Sequence, residues 1–295
     1  MHLRGLICLA LLSWAAAQPT ARSVAVIAPV HEPKYHFAVR LAASLLEHDI
    51  AADLCLVVKF RAETPVLTNL LPRDDRVRVL AQQDGVEGLM GMKNVILVKK
   101  WWAVSQLLDT YAYFLLIDSE AEFVKHTNLA AVVEYVHNLG LVFGVGTNTW
   151  DFIMRDSAWR YSDAEREALR ARLNDWKLYL WWNELPVVES SAARAFLNCT
   201  KMLESSTDSA VHEFDYIPYI YWMMLHHGWT AVDLSATIPD VCDAGSLSEC
   251  GGGTRDTLLR SQPHWVQHSF WVHARAKYAD ADLDVVMTFH HDRTP

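Results

Sequence analysis

A short apolar run that stops at acidic residues most constrains the fold of this chain. Residues Tyr113 to Ile117 are apolar, and Asp118, Ser119 and Glu120 follow directly. Such a run is too short for an independent helix and is typical of a strand buried on both faces. Because ligands of open α/β sheets bind beyond the carboxyl ends of strands, the Asp-x-Glu pair is a candidate site for a divalent cation and a diphosphate. The alternative is that the acidic residues merely end the strand and face water.

Strand-like and helix-like segments alternate through the first half of the chain. Apolar runs predict strands over residues 23–29, 52–60, 76–80, 113–117 and 141–146. Helical spacing predicts helices over 34–48, 65–71, 99–109 and 128–138. This alternation predicts an α/β fold with a Rossmann-like, mostly parallel sheet and helices on both faces.

Near Asn148 the pattern changes to one rich in aromatic residues. Helices are expected over 163–173, 192–203 and 217–227, and short strands over 183–189 and 265–273. The region also contains tryptophans at positions 150, 159, 176, 181 and 182. Dense aromatic side chains suit a cleft that stacks sugars, although a tryptophan-rich core explains them equally well.

The amino-terminal residues predict a secretory address. A basic start, an apolar segment from Gly5 to Trp14 and three alanines ending at Ala17 are typical of a signal peptide spanning residues 1–17. An uncleaved anchor is the alternative. No later stretch is long and charge-free enough to span a bilayer, so we expect a protein of the secretory lumen or the cell exterior. The net charge of −9 argues against a nucleic-acid partner.

Four cysteines follow the signal segment, namely Cys55, Cys199, Cys242 and Cys250. In an oxidising compartment they allow three complete pairings. We favour a bond between Cys242 and Cys250, which flank a short loop, and interpret Cys55 as a buried thiol. Residues 198–200 form an N-glycosylation sequon, which would require exposure there.

The order of these parts resembles the GT-A class of nucleotide-sugar glycosyltransferases. The resemblance covers about residues 23–150. It rests on the first strand and the Pro29, Val30, His31 and Glu32 that end it, the alternating units, the Lys99–Lys100 pair and the Asp118–Glu120 motif. It implies a nucleotide-sugar-binding half over residues 18–150 and an acceptor-binding half over 151–295 of one catalytic domain.

The segment with glycines at 85, 88 and 91 is weak evidence for a phosphate loop. The chain lacks the P-loop, G-x-G-x-x-G, G-x-S-x-G and C-x-x-C motifs of other enzyme classes.

The resemblance also implies a cofactor and its ligands. In the GT-A class a D-x-D motif holds Mn²⁺ or Mg²⁺ against the donor diphosphate, and a histidine near the carboxyl terminus often completes the metal sphere. Asp118 and Glu120 match the motif, with Glu120 in place of the usual aspartate. Glu122, which would lie on the same side as Glu120 in an extended chain, is a substitute ligand. His290 matches the histidine; its alternatives are His291 and His273.

The implied activity is transfer of a sugar from a nucleoside-diphosphate donor to a hydroxyl of a glycan, protein or lipid. The resemblance implies that the donor contacts Pro29, His31, Glu32, Lys99, Lys100 and Asp118. An inverting enzyme also needs a carboxylate base; we expect Glu184 or Asp215, with Glu213 as a further candidate. Two other classes stay open, a non-catalytic lumenal binding module and a metal-dependent phosphate-ester hydrolase.

Overall fold

The computed structural model describes residues 23–82, 95–123, 126–146, 151–180, 186–203, 213–214 and 216–233, with the backbone of 267–269 and 287–289. The strands are β1 (Val24–Pro29), β2 (Asp53–Val58), β3 (Val77–Ala81), β4 (Tyr113–Leu116), β5 (Leu141–Gly146), β6 (Leu178–Tyr179), β7 (Val187–Glu189), β8 (Thr230–Asp233), β9 (Gln267–Ser269) and β10 (Met287–Phe289). The helices are α1 (Tyr35–Glu47), α2 (Glu63–Leu70), α3 (Val95–Leu107), α4 (Leu129–Leu139), α5 (Asp151–Asp156), α6 (Asp163–Arg172), α7 (Ser190–Thr200) and α8 (Ile217–His226).

The main sheet has five strands in the order β3-β2-β1-β4-β7. β1 pairs in parallel with β2 on one side and with β4 on the other, and β3 pairs in parallel with β2. β7 runs antiparallel to β4. The fold is therefore α/β, with a mostly parallel, Rossmann-like sheet flanked by helices, as the alternation of segments predicts.

Both faces of the sheet are covered, which explains why its central strands are continuously apolar. Ala25 and Ile27 of β1 belong to a core that includes Trp101 of α3 and residues of α7 and α8. Val24 and Val26 point to the opposite core, which contains residues of α1, α2 and α4. Alternate residues of one strand thus enter different cores, and a polar side chain is disfavoured at any of these positions.

The predicted element boundaries differ most at α3. The helix was expected to start at Lys99, but it begins at Val95. The lysine pair therefore lies inside the helix instead of at its exposed end. The neighbouring Trp101 and Trp102 are also buried.

β5 does not join the main sheet, contrary to the prediction from the β/α alternation. It pairs in parallel with β8 and antiparallel with β6, in a separate three-stranded sheet. The position beside β4 is instead occupied by β7, which arrives from the second half of the chain. Residues on both sides of position 150 therefore build one sheet.

The cysteines, the sequon and the helices can also be compared with the predictions. Cys55 is free and buried, as expected. Cys199 is disulfide-bonded. The predicted Cys242–Cys250 pair lies outside the described residues. Asn198 of the sequon is exposed on α7. Within the described ranges, no helix combines the length and the apolar character needed to cross a membrane.

Candidate functional site

The carboxyl ends of β1 and β4 form a topological switch point. From β1 the chain crosses to β2 and β3 on one side, and α3 then leads it back to β4 on the other side of β1. The connections on either side of this point diverge, which leaves a crevice at the carboxyl ends of adjacent strands. The segment from Val30 to Lys34 follows β1, and the Asp118–Glu120 motif follows β4.

Two consecutive lysines of α3 reach the two sides of this switch point. Lys99 Nζ donates a hydrogen bond to the Val30 carbonyl oxygen at 2.6 Å, beyond the end of β1. Lys100 Nζ lies 2.9 Å from Asp118 Oδ1, beyond the end of β4. Successive side chains on a helix point about 100° apart, so neighbouring residues can contact different strands. Both lysines are more than nine-tenths buried, with 4% and 3% of their surface exposed.

The charge on Lys99 is poorly compensated. Among the described residues, no carboxylate lies within ion-pair distance of its Nζ atom. The pKa of Lys99 is lowered to about 8, mainly by burial; Glu63 partly offsets this effect, and Lys59 adds a smaller lowering contribution. At neutral pH the side chain is still mostly an ammonium group, held near a strand end where an anion would be favoured.

The acidic motif forms a tight turn rather than an extended segment. Ala121 N donates to the carbonyl oxygen of Asp118 at 3.1 Å. Glu120 forms an ion pair with Lys34 and accepts a hydrogen bond of 3.1 Å from the Ser119 hydroxyl. The carboxylates at positions 118 and 120 are thus both paired with lysines of the switch point.

Glu122 has a different environment from Glu120. Its Oε2 atom lies 3.1 Å from Arg40 Nη2 on α1. The expectation that Glu122 would share the side of Glu120 assumed an extended chain, and the turn after Asp118 removes that geometry. Glu122 is consequently a weaker substitute ligand than the sequence indicated.

The other residues predicted to contact the donor lie after β1. Pro29 ends that strand and is buried, whereas His31 and Glu32 are exposed. Burial lowers the pKa of His31, and the ammonium groups of Lys34 and Lys99 lower it further. His31 is therefore close to the same positive groups that contact the strand ends.

Sequence reasoning missed two charged residues of this region. Lys34 is separated from Glu120 by 86 positions, so spacing could not reveal their pairing. Glu63 accepts hydrogen bonds from Tyr35 Oη at 3.0 Å and from Phe60 N at 2.8 Å, which connects the residues that follow β2 to α1. The position of Lys34 just after the end of β1 was the available signal for the first of these residues.

The carboxylates of Asp118 and Glu120 are suitable ligands for a hard divalent cation, because Mn²⁺ and Mg²⁺ prefer oxygen ligands. Asp118 keeps 37% of its side-chain surface exposed, which leaves it open to approach. Across the described ranges, no group of three or more His, Cys, Asp or Glu side chains could hold a metal ion. The predicted third ligand, His290, lies outside the described residues, as do its alternatives His273 and His291.

The predicted catalytic carboxylates, Glu184 and Asp215, also lie outside the described residues. Glu213 is described, and its carboxylate makes two contacts with Arg160, at 2.7 and 3.1 Å. Both side chains are almost completely buried. This geometry gives Glu213 a role in the core and makes it a poor candidate for an acceptor base.

Two of the tryptophans that suggested a sugar-stacking cleft are described, and their environments differ. Trp176 is buried, with its ring centroid 6.3 Å from that of Tyr221. Trp159 is half-buried, and the Arg160 guanidinium stacks 4.4 Å from its ring centroid. Trp176 therefore belongs to the core. Tryptophans 150, 181 and 182 lie outside the described residues.

A scan against protein-family models and a search of curated proteins both return no match to this chain.

Proposed function

We propose that the chain is a glycosyltransferase of the GT-A type, which moves a sugar from a nucleoside-diphosphate donor to a hydroxyl acceptor in the secretory pathway. The observation that carries the proposal is the pair of buried lysines at the switch point, one at the end of β1 and the other on Asp118 beyond β4. A Rossmann-like sheet binds its ligand at this place. Buried ammonium groups there favour an anionic ligand such as a diphosphate.

The reaction explains why these residue types are needed. As the glycosidic bond breaks, the nucleoside diphosphate departs with increasing negative charge. Lys99 and Lys100 lie where they can stabilise that charge, and their burial strengthens the electrostatic interaction relative to water. Asp118 and Glu120 would hold Mn²⁺ or Mg²⁺, which supplies further positive charge to the departing diphosphate.

The other residue roles are those that the resemblance to the GT-A class implies. His290 would complete the metal sphere, and His31, Glu32 and Pro29 would line the donor side. Glu184 or Asp215 would take the proton of the acceptor hydroxyl in an inverting reaction. The aromatic second half would bind the acceptor.

Thermal unfolding with a panel of nucleoside diphosphates tests this proposal. A ligand at about 100 times its Kd stabilises the folded chain by roughly 2.7 kcal/mol. We expect UDP or GDP to raise Tm only when Mn²⁺ is present. Stabilisation by Mn²⁺ alone would favour the phosphate-ester hydrolase, and no response to either would favour the binding module. Release of sugar from a set of nucleotide sugars then identifies the donor.

Asp118→Ala should abolish metal-dependent nucleotide binding without unfolding the chain. Asp118 lies in a turn and is partly exposed, so its removal changes little packing, but it takes a carboxylate partner from the buried Lys100 and should lower the free energy of unfolding. Circular dichroism of the variant checks that the chain is folded. Asp109→Ala is a matched control, because its side chain is 93% exposed and its partner Arg194 is also exposed. Nucleotide affinity measured by calorimetry should fall in the first variant and stay constant in the second. Unaltered affinity in Asp118→Ala would remove the site assignment.

A further inference from the structure

The two residues that define the N-glycosylation sequon at 198–200 point to opposite sides of α7. Asn198 is exposed, whereas Thr200 is buried. Successive residues of a helix are rotated by about 100°, so positions i and i+2 lie about 200° apart around the axis. Ser191 and Arg194 share the exposed side with Asn198, and Phe196 shares the buried side with Thr200. The amphipathic pattern of α7 therefore separates the two side chains that the motif requires.

The hydroxyl group of Thr200 is occupied within the helix. Its Oγ1 atom donates a hydrogen bond of 2.7 Å to the Phe196 carbonyl oxygen, one turn earlier, as threonines in helices commonly do. An enzyme that glycosylates Asn198 must contact both residues, because the motif consists of an asparagine and a hydroxyl residue two positions later. The folded helix presents only the asparagine at its surface.

The middle residue of the sequon is held in place as well. Cys199 is disulfide-bonded. One turn earlier, the ring centroid of Phe196 lies 4.8 Å from that of Trp101 on α3. Unwinding of the last turn is therefore opposed by the burial of Thr200 and by a covalent bond at the residue before it. The sequon is accessible to a modifying enzyme chiefly before the chain folds.

The order of synthesis leaves a period for this modification. α7 has 11 residues, and isolated helices shorter than about 12 to 15 residues are marginally stable in water. Its aromatic partners on α8 come later in the chain: the Phe196 ring centroid is 5.6 Å from that of Tyr219 and 6.3 Å from that of Trp222. At roughly 5 to 20 residues per second, the segment from Thr200 to His226 takes about 1 to 5 s to synthesise. The sequon is not yet packed during that time.

We propose that Asn198 carries an N-linked glycan that is attached to the nascent chain, before α7 folds and before Cys199 enters its disulfide. Glycosylation then competes with folding, and a chain whose α7 forms first stays unmodified. The inference rests on the lumenal address in the proposed function. The glycan would lie on the exposed side of α7, beside the ion pair of Arg194 with Asp109, and would keep that side in solvent.

The modification is a group transfer from a lipid-diphosphate-linked sugar. The amide nitrogen Nδ2 of Asn198 forms a bond to the anomeric carbon of the sugar, and the bond between that carbon and the diphosphate oxygen breaks. The amide nitrogen gives up one proton to the modifying enzyme, and the lipid diphosphate leaves with the bonding electron pair.

Cell-free synthesis of the full chain with endoplasmic-reticulum microsomes tests the site. Asn198 begins the single Asn-x-Ser/Thr sequence in the chain, so any glycan that peptide N-glycosidase removes reports on this residue. We expect imported chains to give two bands on a denaturing gel, of which the upper one disappears after glycosidase treatment and in Asn198→Gln. Unmodified chains whose disulfide has formed should stay unmodified during a chase.

Cys199→Ser tests the competition with folding. The variant keeps Asn198 and Thr200 but loses the disulfide, so its glycosylated share should rise above that of the wild type. Dithiothreitol during synthesis should raise the wild-type share towards the same level and leave the share of Cys199→Ser unchanged, which controls for an effect of the serine itself. The gel measures occupancy whether or not a variant folds.

The outcomes separate this inference from the proposed function. Imported chains that are protected from added protease but never carry a glycan overturn the inference and leave the proposed transferase site intact. Equal glycosylated shares in the wild type, the reduced wild type and Cys199→Ser overturn the competition, as does conversion of unmodified, disulfide-bonded chains during the chase. A chain that microsomes do not import overturns the lumenal address on which both proposals rest, while thermal unfolding with nucleotides tests the transferase site separately.

Discussion

Replacing Lys99 by methionine should make the chain more stable and weaken its binding of phosphate. Burial lowers the pKa of Lys99 from its ordinary value of 10.5 to about 8. The difference between those values corresponds to roughly 3 kcal/mol of unfavourable free energy for the charged side chain in the folded state. Methionine keeps the apolar stem but loses the hydrogen bond to Val30, at a cost of about 1 kcal/mol. The net gain in the free energy of unfolding at pH 7 is therefore about 2 kcal/mol.

The gain should depend on pH in a defined direction. Because the pKa of Lys99 is lower in the folded chain than in the unfolded chain, the unfolded chain binds this proton more tightly. The wild type therefore carries the full penalty below about pH 8 and loses it as the pH rises to about 10.5. The advantage of Lys99→Met should shrink through that window and become a small deficit above it.

Urea unfolding followed by tryptophan fluorescence, at several pH values between 7 and about 10.5, measures the gain in stability and its dependence on pH. Comparing the variant with the wild type at each pH cancels the titration of other groups. Lys177→Met is the control, since Lys177 is exposed and surface substitutions usually change stability by less than about 0.5 kcal/mol. A Lys99→Met chain that is less stable than the wild type at pH 7 would show that the buried charge of Lys99 does not destabilise the fold. A difference in stability that does not vary with pH would show the same.

Two further substitutions test the core. Glu213→Gln should lower the free energy of unfolding by about 3 kcal/mol in urea titrations, because it removes the negative charge that Glu213 presents to the buried Arg160 guanidinium. A loss below about 1 kcal/mol would show that a neutral hydrogen bond can replace the ion pair. Gly144→Ala should cost about 1 to 3 kcal/mol, since a Cβ atom there would lie 2.8 Å from Leu178 Cγ; an unchanged Tm in calorimetry would show that β5 and β6 separate easily.

The sheet was largely predictable because its information is local. Strands β1 and β4 are uninterrupted apolar runs, and β2 is one after its first residue, Asp53. Turn or charged residues follow these runs, so the sequence marks their limits directly. The partners of β5 were not predictable, because they are the distant segments β6 and β8 and the local sequence of β5 does not specify them. The three residues of β7 occupy the edge of β4, and nothing in so short a segment announces that pairing.

At the candidate site, the sequence indicated which residues follow the strands but not their contacts. Asp118 was identified because it ends a buried strand, and the Lys99–Lys100 pair because it precedes that strand on a helix. The burial of those lysines was not predicted, because a lysine pair usually lies at a solvated helix end. In this structure both ammonium groups are buried at strand ends. The ion pair of Lys34 with Glu120 joins segments that only the folded sheet brings together.

Diffraction from crystals grown with Mn²⁺ and UDP shows where the cation and the diphosphate bind, because manganese can be located by its anomalous scattering. We expect an anomalous peak at a manganese ion bonded to Asp118 and Glu120, with the diphosphate lying between that ion and the lysines of α3. A manganese ion elsewhere on the chain, or a nucleotide bound away from the ends of β1 and β4 while Lys100 stays on Asp118, would contradict it.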